Sequence, residues 1–149
     1  MLKKYLLVLY NKIIVKNRKR ILIAEDTYGW QKFHSSMMKG YDKVEIDFII
    51  SDSARDALTL VQENYQNPYD LILTDLQMEQ DFLPKFAGEW LIEQIKGYST
   101  CSNIPIVIVS AAYNIGFIAQ NYNVDYLSKR SLINNPDTYY FKLDEYLGG

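Results

Sequence analysis

Three carboxylates follow two short apolar runs of the sequence, at the points where those runs end. Asp75 comes directly after residues 71–74, and Glu25 and Asp26 come directly after residues 21–24. If both runs are strands of one parallel sheet, the acids meet at one edge and would not all stay ionised unaided. A Mg²⁺ ion, which prefers oxygen ligands in an octahedron and keeps several waters, would relieve that repulsion. Ca²⁺ fits less well because it prefers more ligands than this edge offers.

Two more polar side chains lie at or just past the ends of apolar runs. Ser110 ends the run over residues 104–109, and Lys129 lies two residues beyond the run at 124–127. In open parallel sheets, ligands bind beyond the carboxyl ends of the strands. A single acid in such a place is usually a helix cap or a solvated charge, but the whole set together favours a functional site.

Hydrophobic periodicity indicates the elements that would position these residues. Most of the apolar runs lack polar alternation, which is typical of strands buried on both faces. Residues 44–48 alternate instead and predict a half-exposed strand at a sheet edge. Helical stripes lie between the runs and begin near Trp30, Ala54, Gly88, Ile115 and Asn135. This alternation predicts an α/β fold in which a five-stranded parallel sheet is covered by helices on both faces.

Local signals predict how some of these helices begin and end. The hydroxyl of Thr27 is expected to cap the first of them, and Gly40 is expected to end it. Ser53 and Asp56 are spaced as in a capping box. Gly116 lies inside the helix that follows the fourth strand and costs ~1 kcal/mol there relative to alanine. We therefore expect that helix to be easily displaced.

Charge is distributed unevenly along the 149 residues. Residues 1–20 carry seven lysines and arginines and no acid, whereas residues 21–149 carry nine basic and eighteen acidic residues. The acidic body argues against nucleic-acid binding. The chain contains no transmembrane run, and the apolar segment at residues 6–9 is too short for a signal peptide. We therefore expect a cytoplasmic protein without membrane insertion.

The single cysteine and the single histidine are interpreted as structural residues. Cys101 permits no internal disulfide, which fits a reducing compartment, and it lacks the partners of a nucleophilic site. His34 lies on or beside the helical stripe formed by Trp30, Phe33 and Met37. We predict that it is a packed helix residue rather than a metal ligand or a phosphohistidine.

Residues 1–19 form a basic N-terminal extension of uncertain structure. The apolar residues 5–10 and 13–15 predict either two strands around a turn at residues 11–12 or one short helix. The basic cluster at residues 16–20 is interpreted as a solvated linker, with attachment to an anionic surface or partner as the alternative.

Over residues 20–148, the chain resembles a response-regulator receiver domain of the chemotaxis-regulator type. The residues that carry the resemblance match that family in order and spacing: Glu25, Asp26, Asp75, Met78, Gly88, Leu91, Ser110, Ala111, Tyr126, Ser128 and Lys129. The family fold is a doubly wound, flavodoxin-like sheet of five parallel strands in the order 2-1-3-4-5. The resemblance therefore implies a receiver domain at residues 20–149, with the alternating strand at the edge of its sheet.

The resemblance implies a role for each residue at the strand ends. Asp75 would accept a phosphoryl group from a histidine kinase or a histidine phosphotransfer protein. Glu25, Asp26 and the backbone carbonyl of Gln77 would hold Mg²⁺ together with Asp75. Lys129 would contact the aspartate and later a phosphate oxygen. An acyl phosphate is labile, which suits a reversible signal.

The same resemblance implies a conformational switch. Phosphorylation adds roughly −1.5 to −2 charge and three acceptor oxygens, and Ser110 would move toward them. Tyr126 matches the switch aromatic of the family and would then swing inward; the alternative is a partly buried tyrosine of an edge strand. Partners or a second copy would recognise the change at the surface formed by residues 111–127.

Three positions depart from the family pattern. The proline that usually follows the phosphoacceptor is absent, and Glu79 follows Met78 instead. Residues 80–86 form an insertion that is either a partner-recognition loop or a tolerated surface insertion. Arg130 replaces the proline that typically follows the lysine.

The predicted function is a stand-alone receiver that signals through protein contacts, and no enzyme activity is expected beyond its own phosphorylation and dephosphorylation. A receiver-like interaction module that does not use phosphorylation is the alternative. A Mg²⁺-dependent phosphatase or nucleotide enzyme is disfavoured because the chain has no glycine-rich phosphate loop. In addition, Gln77 stands where such an enzyme would need a second catalytic acid.

Overall fold

Five parallel strands form one sheet in the computed structural model of the protein, which describes residues 1–148 and, at residues 14–17, only the backbone. The strands are β1 (Arg18–Ala24), β2 (Glu45–Ser51), β3 (Leu71–Thr74), β4 (Ile106–Ser110) and β5 (Asp125–Ser128). Their order in the sheet is β2-β1-β3-β4-β5, and each neighbouring pair is parallel. The predicted doubly wound α/β fold, its strand order and the edge position of β2 are confirmed.

Helices cover both faces of the sheet. They are α1 (Leu2–Asn17), α2 (Tyr28–Gly40), α3 (Ala54–Glu63), α4 (Ala87–Gly97), α5 (Ile115–Tyr122), α6 (Lys129–Asn134) and α7 (Asp137–Leu147), and Gln80–Phe82 forms a 3₁₀ turn. The sequence pattern does not predict α6, because six residues are too few to show a helical period. Because α1 is a helix, the two-strand alternative for the N-terminal extension is wrong. Within residues 1–148, no helix combines the length and the apolarity needed to cross a membrane.

Alternation along the strands divides the core into two layers. Leu22 and Ile72 pack with α3, α4 and α5 on one face of the sheet. Ile21, Ile23 and Leu71 pack with α2 and α7 on the other face. All of these strand residues are fully buried. Since both faces are covered, polar groups of the central strands can lie only at the strand ends.

Strand β1 begins before the apolar run that marks it in the sequence. Its first residue, Arg18, pairs with Glu45 of β2, and Arg18 Nη2 lies 2.6 Å from Glu45 Oε1. The interpretation of residues 16–20 as a linker is therefore wrong for residues 18–20, because edge pairing with β2 extends beyond the buried part of the strand. The side chain of Lys16 lies outside the described residues.

The two predicted N-terminal caps have different outcomes. Thr27 precedes α2 but makes no hydrogen bond to that helix through its side chain. Its Oγ1 donates to Asp26 Oδ1 at 3.4 Å, and its N–H donates to Glu25 Oε1 at 3.1 Å, so the neighbouring acids take the polar groups of Thr27. Ser53 caps α3 as predicted, because the N–H of Asp56 donates to Ser53 Oγ at 3.0 Å.

His34 is a packed residue of α2, as predicted. It is 1% exposed, and its Nδ1 lies 2.7 Å from the hydroxyl oxygen of Tyr139 on α7. Burial, aided by the positive charge of Lys129, lowers the pKa of His34 to about 3, so the ring is neutral near pH 7. Cys101 is also buried, with its Sγ 3.2 Å from the carbonyl oxygen of Ile95.

Candidate functional site

Glu25, Asp26 and Asp75 come together at the carboxyl edge of β1 and β3. Backbone hydrogen bonds continue the sheet to this point. The N–H of Asp75 donates to the carbonyl oxygen of Ala24 at 2.9 Å, and the N–H of Glu25 donates to the carbonyl oxygen of Ser51 at 2.9 Å. One carboxylate oxygen from each acid lies within 4.8 Å of the other two. The three acids therefore form one cluster, as their places at the strand ends predict.

Lys129 reaches this cluster from the end of β5, where it is the first residue of α6. Its Nζ lies 2.7 Å from Asp75 Oδ2 and 2.7 Å from Glu25 Oε2, and all three side chains are at most 7% exposed. One ammonium group thus faces two buried carboxylates, and the exposed Asp26 adds a third negative charge. Arg130, which replaces the family proline, is an exposed residue of α6.

The raised pKa of Glu25 indicates that the cluster holds more negative than positive charge. Burial and the nearby charge of Asp75 raise its pKa, and Lys129 opposes this shift only in part. Glu25 Oε2 is buried and makes no hydrogen bond of regular geometry, although the ammonium of Lys129 lies close to it. A hard divalent cation would neutralise this charge and occupy the free lone pairs, and Asp26 leaves an open side for water ligands. The residues present therefore fit a small divalent cation.

The main chain around Asp75 holds its carboxylate in place. Asp75 Oδ1 accepts a hydrogen bond from the N–H of Leu76 at 2.7 Å, and the hydroxyl of Thr74 donates to the Asp75 carbonyl at 2.8 Å. The N–H of Gly88 donates to the carbonyl of Leu76 at 3.0 Å. A Cβ atom at Gly88 would lie only 2.0 Å from the carbonyl oxygen of Asp75, so this close approach requires glycine.

Ser110 lies at the same edge of the sheet as Lys129. It ends β4, pairs with Ser128 in the β4–β5 register and is 1% exposed. Its Oγ accepts a hydrogen bond from the N–H of Ala112 at 3.2 Å. The Ser110 hydroxyl therefore still has a proton to donate, and its predicted role toward a phosphoryl oxygen stays a prediction.

Tyr126 lies on β5 and is 42% exposed. The hydroxyl end of its ring lies over Gly116 of α5, where a Cβ atom would come within 3.2 Å of Tyr126 Oη. Gly116 therefore makes room for the ring of Tyr126, in addition to weakening the helix. The predicted inward swing of Tyr126 stays a prediction.

Gln77 is an exposed residue of the loop that follows Asp75. It borders a cavity of about 390 Å³ beside the acidic cluster. Residues from both strand-end loops and from the 80–86 insertion line this cavity, among them Asp26, Thr27, Gln77, Gln80, Leu83 and Phe86. The insertion therefore forms part of the approach to the site.

Glu79 has a structural role that the sequence pattern does not reveal. Its carboxylate accepts hydrogen bonds from the N–H groups of Ala54 at 2.7 Å and Arg55 at 3.0 Å, in the first turn of α3. A negative charge at this position also complements the helix dipole. The only sequence signal is that an acid stands where the family has proline. Glu79 thus ties the loop after Asp75 to α3.

The 80–86 insertion is held against α3 and α4 by side chains. The ring of Phe82 stacks on Trp90 of α4, with centroids 4.6 Å apart. The guanidinium of Arg55 lies 4.4 Å from the Phe82 centroid, and its Nη2 lies 2.8 Å from Asp81 Oδ2. Contacts with distant parts of the chain therefore determine how this segment folds.

Trp30 is a second residue of the site that the sequence analysis treats only as part of a helical stripe. Its ring centroid lies 4.9 Å from Lys129 Nζ, within the range of a cation–π interaction. The sequence carries no signal of this contact, because Lys129 lies 99 residues further along the chain than Trp30. The indole therefore covers the ammonium group that faces the two buried acids.

Comparison with known proteins supports the fold and identifies no sequence family. No family model matches the chain, and no curated protein is significantly similar to it. The chain is similar in structure to the phosphorylated cyanobacterial phytochrome response regulator RcpA, with a TM-score of 0.73 and 21% identity over 87% of this chain and 94% of that one. It is similar also to the Mn²⁺-bound response regulator Rcp1, with a TM-score of 0.69 and 21% identity over 86% and 93%.

A third similar structure is the receiver domain of the sensor histidine kinase PA1611 from Pseudomonas aeruginosa PAO1, which has a magnesium ion in its active-site cleft. Its TM-score is 0.62 and its identity 19%, over 88% of this chain and 98% of that one. The chain therefore has the fold of response-regulator receiver domains. The resemblance drawn from the sequence is confirmed at the level of the fold.

Proposed function

We propose that this protein is a phosphorylatable receiver, in which Asp75 accepts a phosphoryl group from a histidine kinase or a histidine phosphotransfer protein. The observation that carries the proposal is the placement of Lys129 Nζ 2.7 Å from both Asp75 and Glu25, beside a three-acid cluster. The receiver fold supports it, as does the similarity to RcpA, whose structure is that of a phosphorylated protein. A module that did not use phosphorylation would have no need for this buried arrangement.

The proposed metal is Mg²⁺, held by Glu25, Asp26, Asp75 and the backbone carbonyl of Gln77. The acidic cluster supports a divalent cation in general, and the similar proteins Rcp1 and PA1611 hold Mn²⁺ and Mg²⁺, respectively. When bound, Mg²⁺ neutralises negative charge on the carboxylates and on the incoming phosphoryl group.

The chemistry assigned to the side chains is mostly positioning. A carboxylate oxygen of Asp75 forms a bond to phosphorus while the bond from phosphorus to the donor's leaving atom breaks. Lys129 pairs with a phosphoryl oxygen, and the hydroxyl of Ser110 donates to another. Phosphoryl transfer depends chiefly on such alignment and on charge neutralisation, so no further acid or base is needed.

The proposed output is a change of surface rather than a reaction product. Ser110 moves toward the phosphoryl oxygens, Tyr126 swings inward, and the surface formed by residues 111–127 then binds a downstream protein or a second copy. The protein would act in the cytoplasm and would catalyse only its own phosphorylation and dephosphorylation.

Labelling by a small phosphodonor tests this function. The protein is incubated with acetyl phosphate and Mg²⁺, and its intact mass is measured for wild type, Asp75→Asn and Asp137→Asn, which changes an exposed acid in the first turn of α7. We expect one phosphoryl group on wild type and Asp137→Asn, none on Asp75→Asn, and loss of labelling on chelation of Mg²⁺. Equal labelling of Asp75→Asn would refute the assignment, and turnover of many donor molecules per protein would indicate an enzyme.

A further inference from the structure

Helix α1 presents apolar side chains to solvent along its whole described length. Every side chain from residue 1 to residue 13 is exposed, including Leu2 at 73%, Leu6 at 55% and Ile13 at 57%. Proteins that remain monomeric in water rarely expose a contiguous apolar surface of this kind, and such surfaces usually mark a binding site. Another surface is therefore expected to cover α1.

The apolar and basic residues of α1 are arranged around the helix. Leu2, Leu6, Leu9 and Ile13 follow one another at intervals of four, three and four residues, and so form a single stripe. At about 100° per residue, Lys3 and Lys12 lie about 90° to either side of this stripe, and Lys4 and Asn11 lie opposite it. Leu7 and Val8, which are 57% and 60% exposed, lie about 130° to either side, so the apolar surface of α1 extends beyond the stripe. Lysines in flanking positions can extend their charged ends away from an apolar surface on which the stripe lies.

The charge of this region selects the kind of surface that fits. Residues 1–20 contain seven basic residues and no acid. Two copies of α1 packed together would bring lysines near one another with no acidic partner from either helix, which disfavours self-association. An anionic surface complements the same charges. Tyr5 and Tyr10 lie beside the stripe, and tyrosine is enriched where an apolar region meets water.

We propose that α1 binds to the surface of a lipid bilayer that carries anionic headgroups. The Leu2–Leu6–Leu9–Ile13 stripe enters the boundary of the acyl chains, and the lysines contact the headgroups. Lys3, Lys4 and Lys12 lie within this helix and would be costly in the hydrocarbon core, so the helix lies along the surface rather than across the bilayer. This inference goes beyond the proposed phosphoacceptor function and does not depend on it.

Vesicle flotation of the full chain tests the proposal. One set of vesicles contains phosphatidylcholine alone, and the other contains phosphatidylcholine with phosphatidylglycerol. We expect the protein to float with the anionic vesicles, to be released by high salt, and to remain unbound with the neutral ones. The double variant Leu6→Ser/Leu9→Ser should reduce the bound fraction about tenfold or more. Lys3→Glu/Lys12→Glu, which reverses the charges that flank the stripe, should reduce it similarly on anionic vesicles.

A matched control changes apolar residues that are exposed elsewhere. Ile133→Ser/Phe141→Ser replaces side chains that are 72% and 62% exposed in α6 and α7, and it should leave flotation unchanged. All of these positions are exposed, so an unchanged melting temperature is expected for each variant. Equal binding to both kinds of vesicle, or to neither, would overturn the proposal. So would a dimer in light scattering that Leu6→Ser/Leu9→Ser dissociates, because a second copy would then cover the stripe.

Discussion

The strand-end site and the neighbouring 80–86 insertion are built in opposite ways. At the site, Asp75 follows the buried strand β3 and Lys129 follows the edge strand β5, and the backbone pairing of the sheet holds both strand ends. In the insertion, exposed residues such as Asp81 are held by side chains from α3 and α4. Strand order therefore determines the geometry of the site, whereas contacts between residues far apart in sequence determine that of the insertion.

Removing the ammonium group of the site should have the largest effect on stability. Lys129→Met leaves the buried Glu25 and Asp75 facing each other without compensation, which should cost about 3–5 kcal/mol of unfolding free energy in metal-free buffer. Urea unfolding measures this cost. Lys85→Met, which breaks the exposed pair with Glu93, is the matched control and should cost about 1 kcal/mol or less. Equal losses of unfolding free energy in the two variants would mean that Lys129 does not offset a repulsion between Glu25 and Asp75.

The junction between the two regions should be the next most sensitive point. Gly88→Ala places a Cβ atom 2.0 Å from the carbonyl oxygen of Asp75, so the main chain must shift, at a cost of about 1–3 kcal/mol. We also expect slower labelling of Asp75 by acetyl phosphate. Gly97→Ala is the control in the same helix, because a Cβ atom there meets no atom within 4 Å. A Gly88→Ala variant as stable and as reactive as Gly97→Ala would contradict the close packing.

Acid titration should also distinguish the packed interior behind the site from the exposed insertion. Burial lowers the pKa of His34 from 6.5 to about 3. Between these values the unfolded chain binds a proton that the folded protein does not, so stability falls as pH decreases, by up to about 1.4 kcal/mol per pH unit. His34→Gln should flatten this part of the stability curve measured by urea unfolding. Asp81→Asn, in the exposed pair with Arg55, should leave the slope above about pH 5 unchanged, because Arg55 lowers the pKa of Asp81 and its titration affects stability only at lower pH. An equal change in both variants above that pH would count against the prediction.

The smallest predicted effect concerns the connection between the insertion and α3. Glu79→Ala removes the cap from the N–H groups of Ala54 and Arg55 and should cost about 0.5–2 kcal/mol. Labelling of Asp75 should persist, because strand ends and not the insertion hold the site. Gln80→Ala, at the next and exposed position, is the control. Loss of labelling in Glu79→Ala as complete as in Asp75→Asn would show that the site depends on the insertion after all.

The sequence predicts the sheet and the site because the same physical pattern specifies both. Strands buried on two faces are continuous apolar runs, and the first polar residues after them lie at the carboxyl edge, as Asp75 and Glu25 do. Side-chain contacts across long separations leave no such pattern. The cap formed by Glu79 and the contact between Trp30 and Lys129 therefore become visible only in the structure.

Two other elements escape prediction for different reasons. The short helix α6 has too few residues for a period, and residues 18–20 are polar although they pair as part of β1, because they extend past the covered region of the sheet. Thr27 has the residue type of a cap, but the two acids before it bind its hydroxyl and its N–H. For residues 18–20 and Thr27, contacts with neighbouring residues, rather than the residue type alone, determine the secondary structure and the hydrogen bonds.

The position of Trp30 gives the protein an intrinsic optical probe. Indole emission responds to nearby charge, and this ring lies against the ammonium group whose surroundings change when a cation or a phosphoryl group arrives. The chain has two tryptophans, so Trp90→Phe leaves Trp30 as the only one. Binding constants and rates at Asp75 can then be followed by fluorescence, without a label and on the same sample.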